Sequence, residues 1–290
     1  MLLQLIVNGI AIGSLYALVA LGLVLVYKTT EVLNFAQGEM GMVATFIAYG
    51  MMTALGLPFF VAFIGACLFG FALGVLIEFA FLRRADNPTL LGLIVITLGC
   101  EMILYGLASH FGGTDTKAFE SPISETTVYH VGNVVISQLN LVIIAVTLAL
   151  MGALFLFFKF TRVGVAMKAV AQNEDVAKVM GIKVNRIKAL TWGIASLLGA
   201  VAGVLIAPIT LLDPNMMLDP LLKAFASAVL GGMESLPGAA LGGWVLGVVE
   251  NLVGGYVSTE FKATVAFLII VIVLCIRPSG LLGRHYKKKV

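Results

Sequence analysis

Runs of about twenty apolar residues, repeated along almost the whole chain, constrain this sequence more than any other feature. A helix rises about 1.5 Å per residue and a bilayer core is about 30 Å thick, so roughly 20 mainly apolar residues make one crossing. Such runs stand at about 2–26, 33–52, 59–81, 90–110, 139–158, 189–208, 217–232, 236–256 and 261–277. With 60% hydrophobic and only 11% charged residues, and a mean hydropathy of +1.07, the 290 residues lie far from a water-soluble domain, which carries about 25% charge. The expectation is an all-α, polytopic transmembrane helical bundle of about nine spans, forming one membrane domain over 1–290. The first run lacks the charged start and small-residue cleavage site of a signal peptide, and is expected to be retained.

Sidedness follows from Lys and Arg, which favour the cytoplasmic side in short loops. With the carboxyl terminus inside, the cytoplasmic segments collect all 18 basic residues except Lys117, Lys223 and Lys262. The amino terminus then lies outside, 111–138 is an external loop of short strands, a surface helix or plain solvated chain, and 159–188 is cytoplasmic. The net charge of +3 reports this topology, so a nucleic-acid partner is not required.

Thirty-two glycines suit helices that meet in lipid, where contact is gained through small residues. Small-xxx-small pairs recur at Gly9/Gly13, Gly70/Gly74, Gly199/Gly203, Gly238/Gly242 and Gly243/Gly247, and intramolecular packing is their expected use. Segments 9–22 (GIAIGSLYALVALG) and 193–205 (GIASLLGAVAGVL) share an opening and a small-residue texture. Their offset of five spans makes the second copy inverted, as in many transporters. Cys67, Cys100 and Cys275 all lie in apolar runs without disulfide or metal spacing. No catalytic constellation and no cofactor are expected, since His110, His130 and His285 lie far apart in sequence.

Two kinds of interruption mark a polar path. EVLNFAQGEMGM (31–42) places Asn34, Gln37 and Glu39 at the entrance to the second run, while LDPNMMLDP (212–220) and GGMESLPGAALGG (231–243) break the seventh and eighth. Gly and Pro there free backbone groups that lipid cannot satisfy, so such breaks face protein or water. Asn34 and Gln37 serve either transport or capping and interhelical hydrogen bonding. Glu78, Glu101 and Glu250 lie in or near apolar runs, where a charge costs about 2.5–3.5 kcal/mol on insertion scales. Glu78 snorkels beside Arg83 and Arg84, whereas Glu101 and Glu250, the latter followed by Asn251, are expected to line a polar path. Asp219 and Lys223 are spaced to pair along one helix.

The charged stretch before the sixth run reads as two short helices. Val163, Met167, Val170 and Ala171 share a helical face in 162–172. Asn173 then caps a second helix, Glu174 and Asp175 occupy its favourable first turn, and Gly181 stops it. About two turns are too few to stand alone in water. Val176, Ala177, Val179 and Met180 are expected to meet a groove on a partner, or else this chain's own helix ends.

The segment 169–182 (AVAQNEDVAKVMGI) resembles the coupling loop of permease subunits in ATP-binding cassette importers, specifically the branched-chain amino-acid permease family. Two of the three residues in the general importer triplet differ at 175–177, though the spacing to Gly181 matches. LNFAQGEM (33–40), VLGGMESLPGAALGG (229–243) and RPSGLLG (277–283) extend the resemblance over nearly the whole chain. It implies a type II-like importer permease in the bacterial inner membrane, paired with a second homologous permease subunit, two cytoplasmic ATPase subunits and a periplasmic substrate-binding protein. The sequence carries no G-x-x-x-x-G-K-[ST] phosphate loop, in keeping with hydrolysis by separate subunits. Gln172, Asn173, Glu174, Asp175, Val176, Ala177, Met180 and Gly181 are then the ATPase-coupling residues, and Leu, Ile and Val the cargo. Urea, short amides or other neutral amino acids are the alternative cargo, and an ion-coupled secondary transporter the alternative mechanism.

Overall fold

The computed structural model describes residues 1–85, 89–123, 127–131, 134–277 and 279–282. The carboxy-terminal basic residues used for sidedness, Arg284 and Lys287–Lys289, lie outside the described residues. The helices are α1 (Leu2–Thr30), α2 (Gln37–Thr53), α3 (Phe59–Ile77, continued by a π turn, Glu78–Leu82), α4 (Leu90–Gly112), α5 (Gln138–Phe160), α6 (Arg162–Gln172), α7 (Glu174–Val179), α8 (Val184–Thr210), α9 (Leu218–Gly231), α10 (Leu236–Tyr256) and α11 (Phe261–Ile276). Between α4 and α5 an antiparallel hairpin pairs β1 (Val128–Val131) with β2 (Val134–Ser137), in the register Val128 to Ser137.

Among the described residues, six helices are long and apolar enough to cross a bilayer: α1, α3 with its π turn, α4, α5, α8 and α10. The expected count of nine is therefore not reached by length. Helices α2, α9 and α11 have 17, 14 and 16 residues, or about 26, 21 and 24 Å of rise. The chain breaks where polar and glycine residues interrupt the runs. Glu31 at φ 56° ends α1, Leu211 at φ 68° ends α8, and Gly232 at φ 107° ends α9, after which Ser235 caps α10 by accepting from the Gly238 N–H.

The chain forms two compact units. One comprises Met1–Val24, Ile123–Thr147 and Pro220–Val290, and so holds most of α1, the hairpin, most of α9, and α10 and α11. There Gly9 and Gly13 of α1 lie against Gly247 and Gly243 of α10, and a Cβ on Gly13 would stand 2.5 Å from the Gly243 carbonyl oxygen. The side chain of Gln4 holds the hairpin by accepting from the Val135 N–H at 2.8 Å and donating to its carbonyl at 2.6 Å. Part of the RPSGLLG segment is seen tying back to the end of α9, with Leu281 and Leu282 N–H groups donating to the Leu230 and Gly231 carbonyls.

The other unit comprises Leu25–Pro122 and Leu148–Asp219. Its centre is α8, where Trp192, Ala195, Leu198 and Ala202 are fully or almost fully buried. Gly199 and Gly203 meet Gln37, Gly41 and Thr45 of α2, while Gly70 and Gly74 of α3 meet Ala200, Ser196 and Trp192 of α8. In the first unit, Gly238 and Gly242 likewise meet Gly231 and Ser227 of α9. All five small-residue pairs are thus used inside this chain.

Candidate functional site

Among the described residues, three local arrangements hold most of the site residues expected from the sequence, and each is built from one unit alone. The first is the charged elbow between α5 and α8. Thr161 caps α6 by accepting from the Gly164 N–H at 2.9 Å, and Gly164 lets α6 close onto the Phe157 carbonyl, where a Cβ would not fit. Asn173, in extended conformation, ends α6 and starts α7, its Oδ1 accepting from the Val176 N–H at 3.0 Å. Gly181 at φ +80° ends the elbow in the left-handed region. Glu174 Oε1 lies 2.9 Å from Lys178 and its Oε2 2.8 Å from Lys188 on α8, so the short helix is pinned to the start of a long one. Partial burial raises the Glu174 carboxyl, but the Lys188 and Lys178 ammonium groups outweigh it and hold the group below its ordinary value. Lys178, hydrogen-bonded to Glu174, is correspondingly raised.

Ala177 does not face outward as the sequence suggests. It is 2% exposed and packs with Met167, Val170, Val184 and Ile187 of α6 and α8. The 100° step between helical residues explains the correction: with Ala177 turned inward, Val179 lies about 160° round the helix and points most directly away, while Val176 and Met180 sit on the flank beside it. Val176, Val179 and Met180 are 56%, 88% and 76% exposed, and Gln172, Asn173, Asp175 and Gly181 are exposed beside them. Ala177 anchors the elbow, and its neighbours present it.

The second arrangement surrounds the break before α2. Asn34 Nδ2 donates to Gln37 Oε1 at 3.1 Å, and Gln37 Nε2 donates to the Ala195 carbonyl of α8 at 2.7 Å. Thr97 of α4 donates to the Leu33 carbonyl at 3.1 Å and accepts from the Phe35 N–H at 3.4 Å. Gln37 therefore ties the start of α2 to α8 by an interhelical hydrogen bond, and Asn34 braces it by a local one from the broken backbone. One turn on, Glu39 lines a recess of about 260 Å3 with Glu101, Met102 and Tyr105 of α4 and Pro214, Asn215 and Leu218 beyond α8. Glu39 is 6% exposed, and its Oε2 has no hydrogen-bond partner among the described residues.

The third lies in the other unit. Lys223 Nζ of α9 stands 2.7 Å from Glu250 Oε1 of α10, and the Tyr16 hydroxyl of α1 donates to Glu250 Oε2 at 3.0 Å. Glu250 has an internal cation as its partner, where the sequence reading gave it an open path. Asn251 donates to the Gly247 carbonyl of its own helix at 3.0 Å. Glu78 is also internally paired, at 2.7 Å from Arg83, which reaches the Asn185 carbonyl as well. Sequence reasoning missed Lys223 as the partner of Glu250, Lys188 as the anchor of Glu174, and Tyr105 and Asn215 as walls of the recess. For the first, a lysine and a glutamate in neighbouring apolar runs were the available signal.

A multi-helix membrane chain with breaks at buried polar residues and a capped elbow outside its long helices has the character of a permease subunit. Residues 5–274 match the family described as "Branched-chain amino acid transport system / permease component". The chain is 35% identical over 300 residues to the high-affinity branched-chain amino acid transport system permease protein LivH of Escherichia coli K12, covering 99% of this chain and 97% of the relative. It is 34% identical to the corresponding protein BraD of Pseudomonas aeruginosa, covering 99% and 98%. A solved structure, PsaBC from Streptococcus pneumoniae in complex with Fab, matches with a TM-score of 0.51 at 16% identity, covering 96% of this chain and 92% of that one, a likeness of fold. The chain belongs to the branched-chain amino acid transport permease family.

Proposed function

We propose that this chain is a permease subunit of an ATP-driven importer of leucine, isoleucine and valine in the bacterial inner membrane. The observation that carries the cargo is the end-to-end match to relatives named as high-affinity branched-chain amino acid permeases. The chain crosses nine times, with α2, α9 and α11 as short crossings beside the breaks, its amino terminus outside and residues 159–188 in the cytoplasm. Its partners are a second homologous permease, two cytoplasmic ATPases and a periplasmic substrate-binding protein.

An inverted repeat relates α1–α4 to α8–α11. Each series opens with a long helix of 29 or 27 residues, followed after a break by a shorter one of 17 or 14. Each compact unit combines three helices of one series with the opening helix of the other. The outward face of α7 seats in a groove on an ATPase, and closure of the ATPase pair on ATP moves the elbow with α8, to which Glu174 and Ala177 fix it. Rocking of the permease halves then exposes the path to alternate sides.

Radiolabelled leucine uptake tests this reading. Uptake should persist when ion gradients are collapsed but ATP remains. It should be lost in Val179→Arg at normal membrane abundance, because that change alters only an outward side chain. Uptake that follows the ion gradient, or accumulation of urea in place of leucine, would overturn it.

A further inference from the structure

The recess beside α2 contains two carboxylates and no basic side chain among its lining residues, Glu39, Glu101, Met102, Tyr105, Pro214, Asn215 and Leu218. Glu39 and Pro214 are buried, Glu101 is half-buried, and Met102, Tyr105, Asn215 and Leu218 are exposed. Acidic groups therefore make the floor and one wall, with mixed apolar and hydrogen-bonding groups at the rim. The buried Glu39 carboxylate oxygen that lacks a partner is the second, independent observation. Native interiors pair such atoms, since an unmatched buried acceptor costs about 1–3 kcal/mol, and more when charged. Two carboxylates in a shared recess repel, and a cation between them relieves both costs.

We infer that this recess is a subsite for a primary ammonium group, which Glu39 and Glu101 receive from the cargo. The inference rests on the amino-acid transport reading and gives it a site. A volume of about 260 Å3 is room for roughly nine waters at about 30 Å3 each, close to the number of non-hydrogen atoms in leucine. With the ammonium group at the floor, the Asn215 amide and the Tyr105 hydroxyl are donors at the rim for the cargo carboxylate. Met102, Leu218 and Pro214 supply apolar surface for a branched side chain. An ammonium group donates in three directions, which suits two carboxylates on different helices better than one.

The test uses the full chain in membrane vesicles, with Cys67, Cys100 and Cys275 replaced and Met102→Cys as a reporter. With each rate divided by that reagent's rate on a small free thiol, a cationic methanethiosulfonate reagent should modify this cysteine more than tenfold faster than an anionic one of similar size. At an effective dielectric of about 20, a single charge roughly 10 Å away is enough for that ratio. Isoamylammonium, which keeps the ammonium group and branched chain of leucine, should slow modification, while isovalerate should not. Glu39→Gln with Glu101→Gln should abolish both the charge preference and the protection, while labelling by a neutral reagent keeps its rate and so reports an intact recess. Equal rates for both charged reagents would overturn the inference, as would protection by isovalerate, protection by sodium alone to the same extent, or loss of neutral labelling in a chain that still transports. If isoamylammonium protects but leucine is not taken up, the subsite stands and the cargo assignment fails. Leucine uptake without any protection would mean the reverse.

Discussion

Replacing Lys223 by Met removes a buried ammonium group 2.7 Å from Glu250 Oε1, with almost no change in the apolar stem. The two side chains are only 9% and 6% exposed, so water cannot take over the lost interaction. Stranding one member of a buried ion pair costs about 3–5 kcal/mol. The Tyr16 hydroxyl still donates to the other carboxylate oxygen and retains part of the charge stabilisation, which sets the expectation near the lower end, about 3 kcal/mol. At about 2–4 °C per kcal/mol for a chain of roughly this size, the melting temperature in detergent should fall by about 6–12 °C. Adding Glu250→Gln should recover most of that loss, because the amide oxygen still accepts from Tyr16 and no charge is stranded. Thermal unfolding of the two single variants and the double variant, followed by monodispersity in size-exclusion chromatography, gives a coupling energy of about 2–3 kcal/mol. Melting losses that simply add in the double variant would refute the reasoning and make the pair incidental to stability.

In the elbow, Ala177→Arg should cost the local packing and raise proteolysis of 162–183, whereas Val179→Arg should leave it intact; equal protease resistance in both would contradict the burial of Ala177. Gly13→Val should separate α1 from α10, because the added Cβ meets the Gly243 carbonyl, and membrane abundance should drop several-fold against a Gly50→Ala control, which meets nothing within 4 Å. The Glu174 carboxyl titrates below its ordinary 4.5 in the folded chain, so its contribution is fully present above that value and lost as pH falls through the lower folded one. Hydrogen-exchange protection of 174–181, normalised to intrinsic rates, should hold near pH 7, fall at strongly acid pH, and be low at both in Lys188→Met. For sidedness, an impermeant thiol reagent on intact cells should label cysteine placed at Lys117 and spare cysteine at Lys183; the opposite pattern would invert the topology.

Much of the elbow was legible because its signals are local. Asn173, the acidic first turn and Gly181 each act within four residues, and the cap, helix and left-handed stop all form as their chemistry dictates. Glycine spacing likewise announced helix contact, though only the fold shows that Gly13 meets Gly243 and Gly74 meets Trp192. The inward turn of Ala177 was not legible, since a six-residue helix has no periodicity long enough to declare a face, and α8 decides it. Hydropathy also overstated the length of the short helices: a turn at 214–217 delays the start of α9, and Gly232 at φ 107° ends it. The recess draws Glu39, Glu101 and Asn215 from three separate segments, so no window of sequence contains it.

The packing of α1 against α10, and of α2 and α3 against α8, sets an order of assembly during synthesis. The face of α1 that carries Gly9 and Gly13 is complete only when α10 has been made, more than 200 residues later. At about 5–20 residues per second this helix waits roughly 10–40 s in the membrane with its contact surface against lipid or an insertion factor. The surfaces of α2 and α3 wait in the same way for α8, the fifth long helix of the nascent chain. A ribosome stalled before residue 184 therefore leaves both units unfinished at once, and neither half of the chain is a natural stopping point for folding or for quality control.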